Sequence, residues 1–164
     1  MGARTPYFDH CIVALLIIFN IMLFPKKVKH RKWHTGRKNQ KKLDNCVETR
    51  GIALAFGSYG LKATKFGRIT SNEIEAARKV MTRYATKSGK IWVRIFPDRP
   101  FTQKPPEVKL GKGKGEPVGF VAEIKPGRIL FEIDGVGDKE SVEALRKAGT
   151  KMSVKTKIVS RELA

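Results

Sequence analysis

The chain has 164 residues, with 34 Lys or Arg against 15 Asp or Glu and a formal net charge of +19 at pH 7. That length bounds it to one domain with tails, or at most two small domains, and 41% hydrophobic residues exclude wholesale disorder. So large a cationic excess repels itself in a compact state and marks a chain that meets a polyanion: RNA, DNA or an acidic membrane surface.

Residues 1–21 do not match the rest. An apolar run, CIVALLIIF, starts at Cys11 and resumes at Ile21 after Asn20. It is shorter than the ~20 apolar residues of a membrane span, no small-residue cleavage site follows it, and Asp9 precedes it. Three readings stay open: an extension upstream of a true start at Met22, a membrane or targeting segment, and an extra helix. Residues 25–42, PKKVKHRKWHTGRKNQKK, form a basic arm with no acidic residue. Like charges this dense predict disorder until a partner binds, and Trp33 is suited to stack on a base or ribose. Cys11 and Cys46 lie in dissimilar segments, so inert thiols in a reducing compartment are expected rather than a disulfide.

The pattern of a folded domain begins near residue 51. Residues 52–64 (IALAFGSYGLKAT) read as a strand broken by Gly57 and Gly60 into a bulge or tight turn. Thr70-Ser71-Asn72-Glu73 reads as a capping box opening a helix that runs to about Ser88 and stops at Gly89. Ile74, Ala77, Met81 and Tyr84 share one face of it, and Arg78, Lys79, Arg83 and Lys87 populate the others. Residues 90–96 (KIWVRIF) alternate with period two, Ile91, Val93 and Ile95 pointing one way and Trp92, Arg94 and Phe96 the other, until Pro97 ends the strand. Residues 98–115 hold no trustworthy period and read as a long, extended, basic loop ending in Gly111-Lys112-Gly113-Lys114-Gly115. This stretch has almost no apolar surface, and its glycines cost the most entropy to fix. It is suited to lie against a polyanion, ammonium groups on phosphates and bare amides behind them. Residues 118–124 and 128–133 read as two strands joined in a hairpin by Lys125-Pro126-Gly127. Asp138 is placed to cap a second helix through Ala148 with Val142 and Leu145 inward, and residues 153–159 close as a last strand. The fold class expected is α+β: two helices packed on an antiparallel or mixed sheet, with a basic arm and a long Gly/Lys loop. The predicted units are residues 1–21, an arm over 22–50 and a domain over 51–162 with its loop at 98–116.

No catalytic set emerges. His30 and His34 have i, i+4 spacing and Cys46 follows, but a zinc site needs a fourth ligand and a rigid frame, so no metal is expected. The Gly/Lys run lacks the Gly-Lys-Ser/Thr ending of a phosphate loop. Gly57-Ser58-Tyr59-Gly60 meets the GxxG pattern of a KH clamp but lies in strand-like sequence. No serine, histidine and carboxylate group together as a nucleophile with its base, and surface pairing is the default role of Asp98, Glu107, Glu116 and Asp134. The positive signal is distributed over an arm, a helix and a loop, which suits reading of RNA shape and backbone more than sequence.

Ile69-Thr70-Ser71-Asn72-Glu73-Ile74-Glu75-Ala76-Ala77-Arg78, Met81-Thr82-Arg83, Gly89-Lys90-Ile91-Trp92-Val93-Arg94-Ile95-Phe96-Pro97-Asp98 and the GKGKG run resemble the bacterial-type L16 family of large-subunit ribosomal proteins. Met22-Leu23-Phe24-Pro25-Lys26, Lys125-Pro126-Gly127-Arg128, Phe131-Glu132 and Lys155-Thr156-Lys157 match as well, so the resemblance spans Met22 to about Glu162. It implies a non-enzymatic α+β protein without cofactor or small-molecule substrate. It implies a place on 23S rRNA beside the entry groove for aminoacyl-tRNA, among neighbouring large-subunit proteins and not on a membrane. The implied rRNA contacts are Lys26, Lys27, Lys29, Arg31, Lys32, Trp33, Arg37 and Lys38 in the arm, Arg78, Lys79 and Arg83 in the helix, and Arg94. The implied loop near A-site tRNA and the peptidyl-transferase region is residues 102–115, with Lys109, Gly111, Lys112, Gly113, Lys114 and Gly115. A bacterial cytoplasmic ribosome is the expected location, an organellar one staying open.

Three departures from the family pattern stand out. Lys109-Leu110 replaces the usual arginine-methionine before GKGKG, which removes a planar guanidinium there. Gly119-Phe120 replaces a tyrosine-tryptophan pair, and residues 43–50 read as extra sequence. Two rivals remain: a membrane-surface protein anchored by residues 12–24, and a free tRNA- or double-stranded-RNA-binding module.

Overall fold

The computed structural model describes residues 23–34, 39–85, 89–109, 111 and 113–161. The apolar extension, Met22, Arg37, Lys38, Lys87, Leu110 and Lys112 lie outside the described residues.

The fold is α+β. Among the described residues its elements in chain order are α1 (Gln40–Asp44), β1 (Tyr59–Ala63), β2 (Gly67–Thr70), α2 (Ser71–Tyr84), β3 (Lys90–Val93), β4 (Arg99–Gln103), β5 (Glu116–Ile124), β6 (Ile129–Asp134), α3 (Asp138–Gly149) and β7 (Thr156–Ser160). The strands form two antiparallel sheets, ordered β3-β6-β1-β7 and β2-β5-β4.

Helix α2 starts where its local chemistry directs. The Thr70 hydroxyl accepts from the Glu73 amide at 3.4 Å, and the Glu73 carboxylate turns back to the Thr70 backbone amide, closing the capping box. The second oxygen of Glu73 accepts from the amide and hydroxyl of Ser153 at 3.0 and 2.8 Å, so the cap also ties the helix start to the approach to β7. Thr70→Ala should cost about 1 kcal/mol, read as a lower urea midpoint, and Thr70→Ser should restore most of it. Ile74, Ala77 and Met81 are fully buried at helical spacing, with Tyr84 half-buried behind them. The helix ends at Tyr84, with Ala85 as its C-cap, short of the predicted end near Ser88, which lies outside the described residues.

Five expectations change. The strand predicted over 52–64 survives only as β1; the backbone before it leaves the ladder to give its amides to a carboxylate, described below. The strand over 90–96 is cut to β3; just beyond it the Arg94 amide still donates to the Leu130 carbonyl at 2.9 Å, and the regular ladder ends as the chain approaches Pro97. The supposed loop over 98–115 begins with a real strand, β4, whose Pro100 lacks a donor and is tolerated because β4 is an edge strand. The turn at residues 125–128 exists, but β5 and β6 are not a hairpin. β5 has both edges filled by β2 and β4, and β6 by β1 and β3, so the turn carries the chain from one sheet to the other. In α3 the N-cap is Gly137, without a side-chain bond, and Asp138 is the first helical residue. Ser141, Ala144, Leu145 and Ala148 face inward while Val142 is exposed, since small side chains let α3 approach α2 closely. The buried Ser141 hydroxyl is satisfied by the Val136 carbonyl at 3.2 Å.

The core lies between the helices and the four-stranded sheet. Leu61, opposite Phe131, and Ile133 meet Ile74, Met81 and Leu145 there. On the other face of β6 the register aligns Glu132 with Gly60 and Trp92, and this is where the sheet carries its one fully buried acid among the described residues.

Candidate nucleic-acid interface

Residues 23–33, the described start of the arm, are docked against the domain. Leu23 packs against the core, and Phe24 meets Phe120 of β5 edge-on at 5.9 Å between ring centroids. Farther along, Arg31 pairs with Glu116 at 2.7 Å, and Lys32 donates to the same carboxylate at 3.2 Å and to the Lys114 carbonyl at 3.4 Å. The Lys114 ammonium in turn donates to the Trp33 carbonyl. These contacts hold the Glu116 carboxyl below the usual carboxylate range, first through the Lys32 hydrogen bond and then through the charges of Lys32 and Arg31. The arm, expected to wait for a partner before ordering, is latched through residues 31–33 onto the base of the β4–β5 hairpin, because that base supplies the Glu116 acid, the Lys114 carbonyl and the Lys114 ammonium to a segment that has no acid of its own.

The hairpin carries the Gly/Lys finger. Gly115 sits so close to β4 that a Cβ there would lie 2.7 Å from the Gln103 carbonyl oxygen, so only glycine lets the finger leave the sheet on this path. Gly111 and Gly113 have φ of +112° and +89° in open space, a backbone that side chains resist. A turn closes from the Val108 amide to the Pro105 carbonyl at 3.2 Å, and the Lys104 ammonium reaches the Gly111 carbonyl. Lys109 and Lys114 are exposed.

The predicted residues thus fall into three groups. Lys26, Lys27 and Lys29 are exposed along the arm, and Arg31, Lys32 and Trp33 join it to Lys114 and the finger. Lys79 and Arg83 are exposed on α2, while Arg78 holds Glu75 with two hydrogen bonds of 2.8 and 2.7 Å. The hydrogen bond from Arg78 is the main reason the Glu75 carboxyl is lowered, and it raises Arg78 in return. Among the described residues no hydrogen bond or ion pair joins the α2 cations to the arm. Arg94 stands apart: its guanidinium pairs with Glu132 and lies 5.0 Å over the Phe56 ring, which itself stacks on Trp92 at 5.9 Å.

Glu132 organises that corner. Its side chain is 0% exposed, yet its oxygens accept from the amides of Ala55 at 3.2 and 3.3 Å, Phe56 at 2.7 Å and Gly57 at 2.9 Å, besides Arg94. Burial pushes its carboxyl up, but the three amides and the Arg94 charge outweigh it and leave it below the ordinary value. Gly57 therefore belongs to a carboxylate nest rather than to an RNA clamp. Sequence reasoning missed this role, although an acid set between Phe131 and Ile133 in an otherwise apolar strand was a visible signal. It also missed Arg99 and Arg68, which pair with Glu123 across the outer face of the smaller sheet, Arg99 lying 5.7 Å over the Trp33 ring. Their shared partner, Glu123, lies on a predicted strand, but the strands that carry the two arginines, β2 and β4, were not predicted.

Among the described residues no three His, Cys, Asp or Glu converge to hold a metal, and no helix is long and apolar enough to cross a membrane. Cationic side chains on an arm, a braced finger and one helix are the surface this fold builds. Residues 25–159 match the family model described as ribosomal protein L16p/L10e. The chain belongs to that family and is a structural constituent of the large ribosomal subunit.

Proposed function

We propose that the protein binds 23S rRNA through the arm and α2 and uses its finger to help position A-site tRNA beside the peptidyl-transferase region. The observation that carries this reading is the latch among Arg31, Lys32, Glu116, Lys114 and Trp33. It makes the arm cations and the finger cations one continuous surface and aims the finger from a rigid base. Lys26, Lys27, Lys29, Arg37 and Lys38 contact phosphates, Lys79 and Arg83 anchor α2, and Arg78 adds the N–H donors that Glu75 leaves free. Lys109, Lys112 and Lys114, with the bare amides of Gly111, Gly113 and Gly115, face RNA near the tRNA path. Arg94 serves indirectly, by neutralising Glu132 beneath the segment it shapes. The bacterial cytoplasm is the compartment we assign.

The test is co-sedimentation with large subunits. The protein should travel with them at low salt and be released at high salt, since each phosphate contact contributes a slope of about −0.7 to −0.9 in log K against log salt. Recovery only in the free pool at low salt would refute the reading.

A further inference from the structure

Beside the latch lies a hollow of about 430 Å³ lined by His30, Lys32, Trp33 and His34. We propose that it holds a single unpaired nucleotide of an RNA strand, its base stacked on Trp33 and its phosphate on Lys32 and the two imidazoles. The proposal rests on the RNA-binding reading above and adds to it a defined pocket and the kind of nucleotide that fills it.

Four observations support it. Trp33 is 40% exposed, and Arg99, which lies 5.7 Å over its ring, is not among the residues lining the hollow, so the hollow meets indole surface that Arg99 leaves free. Arg99 is itself held by Glu123, which also faces Arg68 at 3.8 Å, so the indole is backed by an anchored guanidinium rather than by solvent. The main chain is fixed too, because the Trp33 carbonyl accepts from Lys114 and Lys32 spans Glu116 and the Lys114 carbonyl. A platform immobilised before its ligand arrives loses little entropy on binding. Finally, among the described residues no carboxylate lines the hollow. Lys32 has three N–H donors and two are engaged, leaving one. His30 and His34 have no hydrogen-bond partner among the described residues, so their ring nitrogens are available to a phosphate or a 2′-hydroxyl. An aromatic floor ringed by N–H donors and the Lys32 cation selects a ligand that is planar at one end and anionic at the other. A paired base keeps both faces inside its stack, so only a splayed, single-stranded one offers the indole a face.

The experiment uses the full chain carrying Trp92→Phe, which leaves Trp33 as the only indole of the two in the sequence. Octauridylate and a blunt, GC-rich eight-base-pair RNA duplex are titrated against its fluorescence. Octauridylate should quench Trp33 saturably. Trp33→Ala should weaken octauridylate binding, followed by filter retention, about tenfold or more, with duplex binding changed less than twofold and Trp33→Phe recovering most of the loss. Equal losses on octauridylate and duplex, or octauridylate binding without quenching, would overturn the pocket while leaving general RNA binding intact. Quenching by uridine monophosphate as tight as by octauridylate would overturn the assignment to an RNA strand. Failure of the parent protein to bind large-subunit rRNA at all would instead sink the function on which the pocket rests.

Discussion

Glu132→Ala should destabilise the fold by about 3–5 kcal/mol, the cost of breaking a buried ion pair from one side, and urea denaturation at pH 7 would read it directly. The substitution strands four donor groups and leaves a void. The amides of Ala55, Phe56 and Gly57 lose their acceptor, Arg94 is left as a part-buried cation without its counter-charge, and a void opens opposite Gly60. Buried donors without acceptors cost more than the bond itself contributed. The amides of residues 55–57 have no ladder to fall back on, so this segment should detach from the sheet, breaking the Phe56–Trp92 stack and uncovering Trp92. Near-ultraviolet circular dichroism should lose the Trp92 part of its tryptophan signal in the same variant.

Acid should act on the same group. Burial raises the Glu132 carboxyl, but the Gly57, Phe56 and Ala55 amides and Arg94 bring it below its ordinary value. The folded state therefore binds this proton less readily than the unfolded chain. Stability from the group is complete above the unfolded carboxylate value of about 4.3 and is lost as pH falls through the lower folded value. Glu132→Gln keeps the shape and one acceptor oxygen but has nothing to titrate there. It should be less stable than the parent at pH 7 and should show a flatter acid limb below pH ~4. An acid limb unchanged by the substitution would place the acid sensitivity elsewhere, with Glu75 the next carboxylate held low by an internal partner.

The second large effect should appear in binding. Replacing Lys27, Lys29 and Lys109 together by glutamine should lower the magnitude of the salt slope for large-subunit rRNA by about 2 to 3. The parent, if it neutralises six or more phosphates, should lose about a thousandfold in affinity between 50 and 200 mM salt. The three lysines are exposed and none has an ion-pair partner among the described residues, so their removal should shift folding stability by no more than about 0.5 kcal/mol. That separates this variant from Glu132→Ala, which acts through folding. Arg78→Gln is an informative companion: its guanidinium already holds Glu75, so its effect on the slope should be smaller than that of a free lysine. A triple variant with the parent's slope would remove the arm and finger from the RNA surface.

Much of this molecule is written in short-range chemistry. The capping box at Thr70 and Glu73, the buried stripe of Ile74, Ala77 and Met81, and the turn at residues 125–128 all depend on residues within a few positions of one another. Side-chain sterics and hydrogen-bond reach decide such features wherever the segment ends up. Val142 shows the edge of that logic. It is more hydrophobic than Ser141 and Ala144, yet those two are buried with Leu145 and Ala148 while it is exposed, so the buried face of α3 is set by how the helix packs in the whole fold.

By itself, then, the sequence determined the α+β class, the two main helices, the cationic surplus that calls for a polyanion, and the family motifs that place the chain in the large ribosomal subunit. Only the tertiary structure decided which strands share an edge, that β4 is a strand at all, and that Arg31 and Lys32 grip Glu116 from 85 and 84 residues away. It alone put Glu132 under the amides of Ala55, Phe56 and Gly57. The reason is physical: a charge or a strand edge is satisfied by whatever the completed fold brings within about 3 Å, and a linear pattern carries the need for a partner without its address.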